Sequence, residues 1–258
     1  ALVACHPSDK AATEPADAAH ASPELTTAAA AAHKAADSFL VLAGDSSHSG
    51  QVPHAYDPVA RPLVDAVFDM GPLPSQPVPM SQLAAINDWL TSVSKVGRAY
   101  VLAGTGAARD DDPTGPTVEA QVDKNFTSYA PELGRYLDAQ NALMSLEAAS
   151  IARERVAEPA MLSTPDGQQE LAAMRGPLLK SIDAVLVIFA HPGPTAEWRR
   201  SRMPYLMALT TQAMKLNTPA DVAAVRAHVL TLAASSDDAT LRVDLAEMAK
   251  TMGGAPPS

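Results

Sequence analysis

The stretch 168–190, QQELAAMRGPLLKSIDAVLVIFA, decides the fold class. Leu171, Met174, Leu178, Ile182, Val185, Leu186 and Phe189 recur at three- and four-residue steps, which is the apolar stripe of an amphipathic helix. From 184 to 190 no side chain is polar, and a helix that is apolar all round is buried on every side. The run is well short of the roughly 20 residues that cross a bilayer, so it reads as core and no transmembrane span is expected. Thr164-Pro165 starts the helix, and Pro192, Gly193 and Pro194 end it.

Working outward, the same helical period recurs on both sides. Towards the N-terminus, Ser22-Pro23-Glu24 is a helix start, and the helix it opens should stop at Gly44. A short helix over 58–70 and a long one over 81–104 follow, separated by the proline-rich 71–79. Helical spacing returns over 117–129 and 131–156. Towards the C-terminus, 195–217 is helical with a kink or restart at Pro204. Thr218-Pro219-Ala220-Asp221 and Ser236 open the last two helices. Abundant alanine, few aromatic residues and no alternating pattern agree with this. The expectation is an all-α single domain over 22–252, with seven to nine helices around a buried central helix at about 168–190. A polar, Ala- and Pro-rich tether over 6–21 precedes it, and 253–258 is a tail.

Cys5 is the only cysteine, so there is no internal disulfide. Leu2-Val3-Ala4-Cys5 looks like a bacterial lipobox, a large aliphatic residue and a small one before the cysteine that takes the lipid. The absence of an initiator Met fits a trimmed signal peptide (1–5). The resemblance implies a lipoprotein anchored through Cys5 in the periplasm, and His6 in place of aspartate implies the outer membrane. A net charge of -10 argues against nucleic acid, whose phosphates need a basic footprint. A helical, acidic, envelope-anchored protein suits a protein-binding role. The expected partner is a toxin or envelope protein, and the expected role is an immunity or inhibitor protein. A helical receptor for a small ligand is an alternative.

The stretch 39–50, FLVLAGDSSHSG, resembles the first block of the GDSL (SGNH) hydrolases, in which a strand runs into Gly-Asp-Ser. The resemblance implies that Ser46 is a nucleophile. It also implies parallel strands alternating with helices, for which 39–43, 100–103 and 185–189 are the candidate stretches. The family's later motifs are not matched: Asn87-Asp88 sits in a helical pattern, and Ile188 stands where an aspartate would precede His191.

Other candidates are judged by spacing. None of the seven histidines has metal-ligand spacing, and His48 and His54 read as solvated loop residues. Asp110-Asp111-Asp112 lacks a calcium loop's alternating ligands. No phosphate loop or nucleotide fingerprint is present, so no cofactor is expected. The methionines at helical spacings read as core filling. The remaining concentration of chemistry is basic and aromatic: His191, Trp198, Arg199, Arg200, Arg202 and Tyr205. Arginine and aromatic residues are the types enriched at interface hot spots, so these six are the expected partner-binding residues.

Overall fold

A computed structural model describes residues 23–47, 52–105, 118–157, 160, 164–191 and 193–253. Cys5, the tether and the tail beyond Gly253 lie outside them. The described residues form eight α-helices and no strand. They are α1 (Pro23–Ser47), α2 (Arg61–Phe68), α3 (Leu83–Thr105), α4 (Val118–Ala157), α5 (Pro165–Ala190), α6 (Ala196–Leu216), α7 (Ala223–Ser235) and α8 (Ala239–Gly253). A single 3₁₀ turn, Met80–Gln82, leads into α3. The all-α expectation holds. The strands implied by the hydrolase resemblance do not occur, since 39–43, 100–103 and 185–189 are all helical. Ser46 accordingly sits in the last turn of a helix and not on a strand-to-helix elbow.

Two of the expected stop signals are overridden. Helix α1 runs through Gly44 to Ser47, and α4 runs through Pro131 as one 40-residue helix. Glycine in a helix costs about 1 kcal/mol and proline about 3, sums that packing can offset. On α4, Phe126 and Tyr129 before the proline and Leu133 and Leu137 after it are all buried in the same core. Helix α6 likewise continues through Pro204. Two expected helix starts are displaced: α7 begins at Ala223, after a turn over 218–222, and α8 begins at Ala239 with Asp238 and not Ser236 as its cap. Thr195 Oγ1 accepts from the Trp198 N–H at 3.1 Å at the start of α6. Asp238 Oδ1 accepts from the Thr240 and Leu241 N–H groups at the start of α8, and these bonds hold its carboxyl below the ordinary value.

The packing order corrects the expected centre. Helices α1, α2 and α3 pack together on one side, and α5 to α8 on the other. Helix α4 joins the halves, against α3 on one side and α6 on the other. The stripe of α5 is buried as expected at Leu178, Ile182, Val185, Leu186 and Phe189. Its opposite side is not covered, and Val187 is 56% exposed. The hub is therefore α4, about 60 Å long, and α5 is a flanking helix with one open face. Close approach of α3 to α4 depends on Gly97, where an added Cβ would lie 2.1 Å from the Tyr136 ring. The ring lies across the space that a side chain would take. Among the described residues no helix is long and apolar enough to cross a membrane.

Candidate functional site

The open face of α5 looks across α4 to α3, and the three helices form a groove with two adjoining cavities. Each takes its walls from single helix faces. On α3 these are Asn87, Thr91, Ser94, Arg98 and Val101, at steps of three and four residues. Tyr136, Leu137, Gln140, Met144 and Glu147 form the floor on α4, and Ser181, Ala184, Ile188 and His191 the far wall on α5.

The two cavities differ in character. One, of about 570 Å³, is lined by Val101, Tyr136, Leu137, Ala184, Val187, Ile188 and His191 and is largely apolar. The other, of about 470 Å³, is the more polar of the two: hydroxyl, amide and charged groups from Asn87 to Lys95 and from Gln140 to Ser181 reach it, although most of its wall is also apolar. Both volumes fall within the range of small-molecule sites, which combine apolar walls with a few placed polar groups. Arg98 lines both cavities. Among the described residues it has no hydrogen-bond or ion-pair partner, whereas Lys95 is bound to Asp37 of α1 at 2.9 Å. Gln140 Nε2 donates to Ser181 Oγ at 3.2 Å and ties floor to wall.

Glu147 lies at the polar end and is 4% exposed. Burial pushes its carboxyl up to about 7, partly offset by a hydrogen bond with Asn87. The group therefore exchanges its proton near neutral pH beside the Arg98 guanidinium's cavity.

The basic-aromatic residues divide between several tasks. Trp198 is half-buried, edge-on to Phe126 and Phe189 with centroids at 5.1 and 6.0 Å, and it closes the α4–α5–α6 junction. Arg199 Nη2 donates to the His191 carbonyl at 2.7 Å, satisfying a group at the end of α5. Desolvation lowers its pKa below the usual arginine range. Arg200 pairs with Asp238 at 2.7 Å, and Arg202 pairs with Asp138 of α4 while resting over the Tyr205 ring. The three arginines thus reach three different parts of the chain and do not form one free cationic patch. Of the six expected residues, His191 is the one that lines the groove, and Tyr205 keeps an exposed ring.

Two features escape the sequence reading. Arg98 belongs to a polar stripe on α3 that looks like any solvated helix face. His54 is not a solvated loop histidine as expected. It is held at 3.1 Å from Glu132, which lies 78 positions further along the chain. Compared with protein-family models, with curated proteins and with solved structures, the chain has no significant match.

Proposed function

We propose that this chain is a binding protein whose groove between α3, α4 and α5 holds an amphipathic anion, with an apolar body and a single anionic head. The observation that carries this reading is Arg98. An unpartnered guanidinium where an apolar cavity meets a more polar one, on a chain of net charge -10, matches one anionic group placed at the end of an apolar body. Hydroxyl and amide groups from Thr91, Ser94 and Gln140 complete the head-group side.

Displacement of the fluorescent sulfonate ANS by decanoate and by decanol tests it, since the two share a body and differ in charge. Decanoate should displace the dye about tenfold more tightly than decanol, in line with one charge-assisted contact. Arg98→Met should erase that difference without lowering the melting temperature. Equal displacement by both compounds, or an Arg98→Met protein that still distinguishes them, would remove the reading.

With the binding role we also propose the envelope address, a lipid anchor on Cys5 that places the domain in the periplasm at the outer membrane. Support for it comes from Leu2-Val3-Ala4-Cys5 and the polar stretch behind it. Inhibition of a toxin or an envelope enzyme is the second reading, favoured by the acidic charge and by the exposed Tyr205 ring beside Arg202. Mass spectrometry of the protein extracted from its own membranes separates these. A diacylglyceryl mass on Cys5 is expected, and a bare thiol there would remove the anchor. Under native conditions the groove reading expects added mass of a few hundred daltons, whereas an inhibitor would carry a protein partner.

A further inference from the structure

We propose that Ser128, His54 and Glu132 form a nucleophilic triad, in which Ser128 is acylated by activated carboxylic esters. The three are contributed by the loop before α2 and by one face of α4, where Ser128 and Glu132 stand one turn apart. His54 lies between them. Its Nε2 is 3.2 Å from Ser128 Oγ, and its Nδ1 is 3.1 Å from Glu132 Oε1. With the proton on Nδ1 donated to the carboxylate, Nε2 is left as the acceptor for the serine hydroxyl. That is the geometry of a nucleophile, a base and an orienting acid.

The imidazole is held in place from every side. Tyr129 and Tyr56 stack on its two faces, with centroids at 4.4 and 4.7 Å and interplanar angles of 18° and 9°. The His54 N–H donates to Asp57 Oδ2 at 2.7 Å. The Glu132 side chain is 1% exposed, and its Oε1 also accepts from the Ala55 N–H at 3.0 Å. Its Oε2 is buried without a hydrogen-bond partner. A carboxylate so placed favours the imidazolium that forms when His54 takes a proton.

A purely structural role accounts for part of this arrangement but not for Ser128. The loop is already tied down by the Tyr129 hydroxyl to Val52 (2.7 and 3.1 Å), by the Tyr100 hydroxyl to the Pro53 carbonyl (3.0 Å) and by Ala55 to Glu132. The contact from Nε2 to an exposed serine adds little to such a clamp, and it leaves Oγ at the surface. Backbone N–H groups around Ser128 belong to a helix and are spent on its own carbonyls. Aryl esters are therefore the fitting substrate class, because a good leaving group lowers the demand for oxyanion donors.

In the first step Oγ bonds to the acyl carbon as its proton passes to His54 Nε2. The C–O bond to the leaving group then breaks, and His54 returns the proton to the departing phenoxide. Water next attacks the acyl-serine, giving a proton to His54 while the Oγ–acyl bond breaks. The proton returns to Ser128, so ester and water become acid and phenol.

A fluorophosphonate probe on the full-length protein, read by intact mass and peptide mapping, tests the triad. One adduct on Ser128 is expected, with none in Ser128→Ala, an exposed substitution that should leave the melting temperature unchanged. Ser46→Ala should label as the parent does. Labelling should slow on the order of 100-fold in His54→Gln and in Glu132→Gln, the latter retaining an oxygen for the Ala55 N–H. Absence of labelling in the folded protein, an adduct on Ser46, or an undiminished rate in both His54→Gln and Glu132→Gln would overturn the proposal. A p-nitrophenyl acetate burst of one equivalent, lost in Ser128→Ala, should accompany labelling.

Discussion

Trp89→Ala is expected to cost about 4 kcal/mol of unfolding free energy and to lower the melting temperature by roughly 8–16 °C. Trp89 on α3 is among the largest fully buried side chains. Its indole N–H donates to the Val67 carbonyl at 2.9 Å, in the last turn of α2, where carbonyls have no partner within their own helix. Truncation opens a cavity between α2 and α3 and also leaves that carbonyl buried and unsatisfied. Trp89→Phe separates the two effects, since it keeps most of the ring and removes the donor, for about 1–2 kcal/mol. Trp198 remains as the fluorescent reporter for urea unfolding. A Trp89→Ala protein within about 1 kcal/mol of the parent would show that the α2–α3 contact does not hold the domain together.

Glu147 carries the second large effect, and it is a matter of pH. The carboxyl holds its proton up to about 7 when folded, against an ordinary value of 4.5. A raised value means that the folded chain binds the proton more tightly than the unfolded one. The sign follows: the full contribution is present below about 4.5, declines as pH rises, and is gone above about 7. The difference of about 2.5 units corresponds to roughly 3 kcal/mol. Glu147→Gln should remove this slope, matching the parent at pH 4.5 and exceeding it by up to about 3 kcal/mol at pH 8. Urea midpoints at pH 4.5, 6 and 8 read the difference. Parallel curves for the two proteins would mean that Glu147 is solvated and charged throughout. The variant also bears on the groove, because ionised Glu147 repels an anion in the polar cavity. Ligand affinity should therefore fall less steeply above pH 7 in Glu147→Gln.

Helix formation depends on residues three and four apart, and it was legible wherever such neighbours decided it. The α5 stripe from Leu178 to Phe189 is such a local pattern and is buried as read, whereas the start of α8 was displaced from Ser236 to the Asp238 cap. Pro131 misled because it costs a helix less than the packing of its flanks contributes, with Phe126, Tyr129, Leu133 and Leu137 all buried around it. The prominence of α5 misled as well. Its apolar turns suggested burial on every side, yet Val187 faces the groove, and the helix that joins both halves is the less conspicuous α4.

The sequence by itself determined that this chain is a helical domain, and which residues make most of its core, because period and capping are written within one or two turns. Only the tertiary structure decided where chemistry is concentrated. Arg98 and Ile188, 90 positions apart, line one cavity, and His54 meets Glu132 across 78. Neither partner marks the other in the sequence, since a polar stripe on α3 and a loop histidine have the same local pattern whether they face water or a buried carboxylate. The fold supplies that information by setting α3, α4 and α5 around one groove and by laying the loop before α2 against Tyr129.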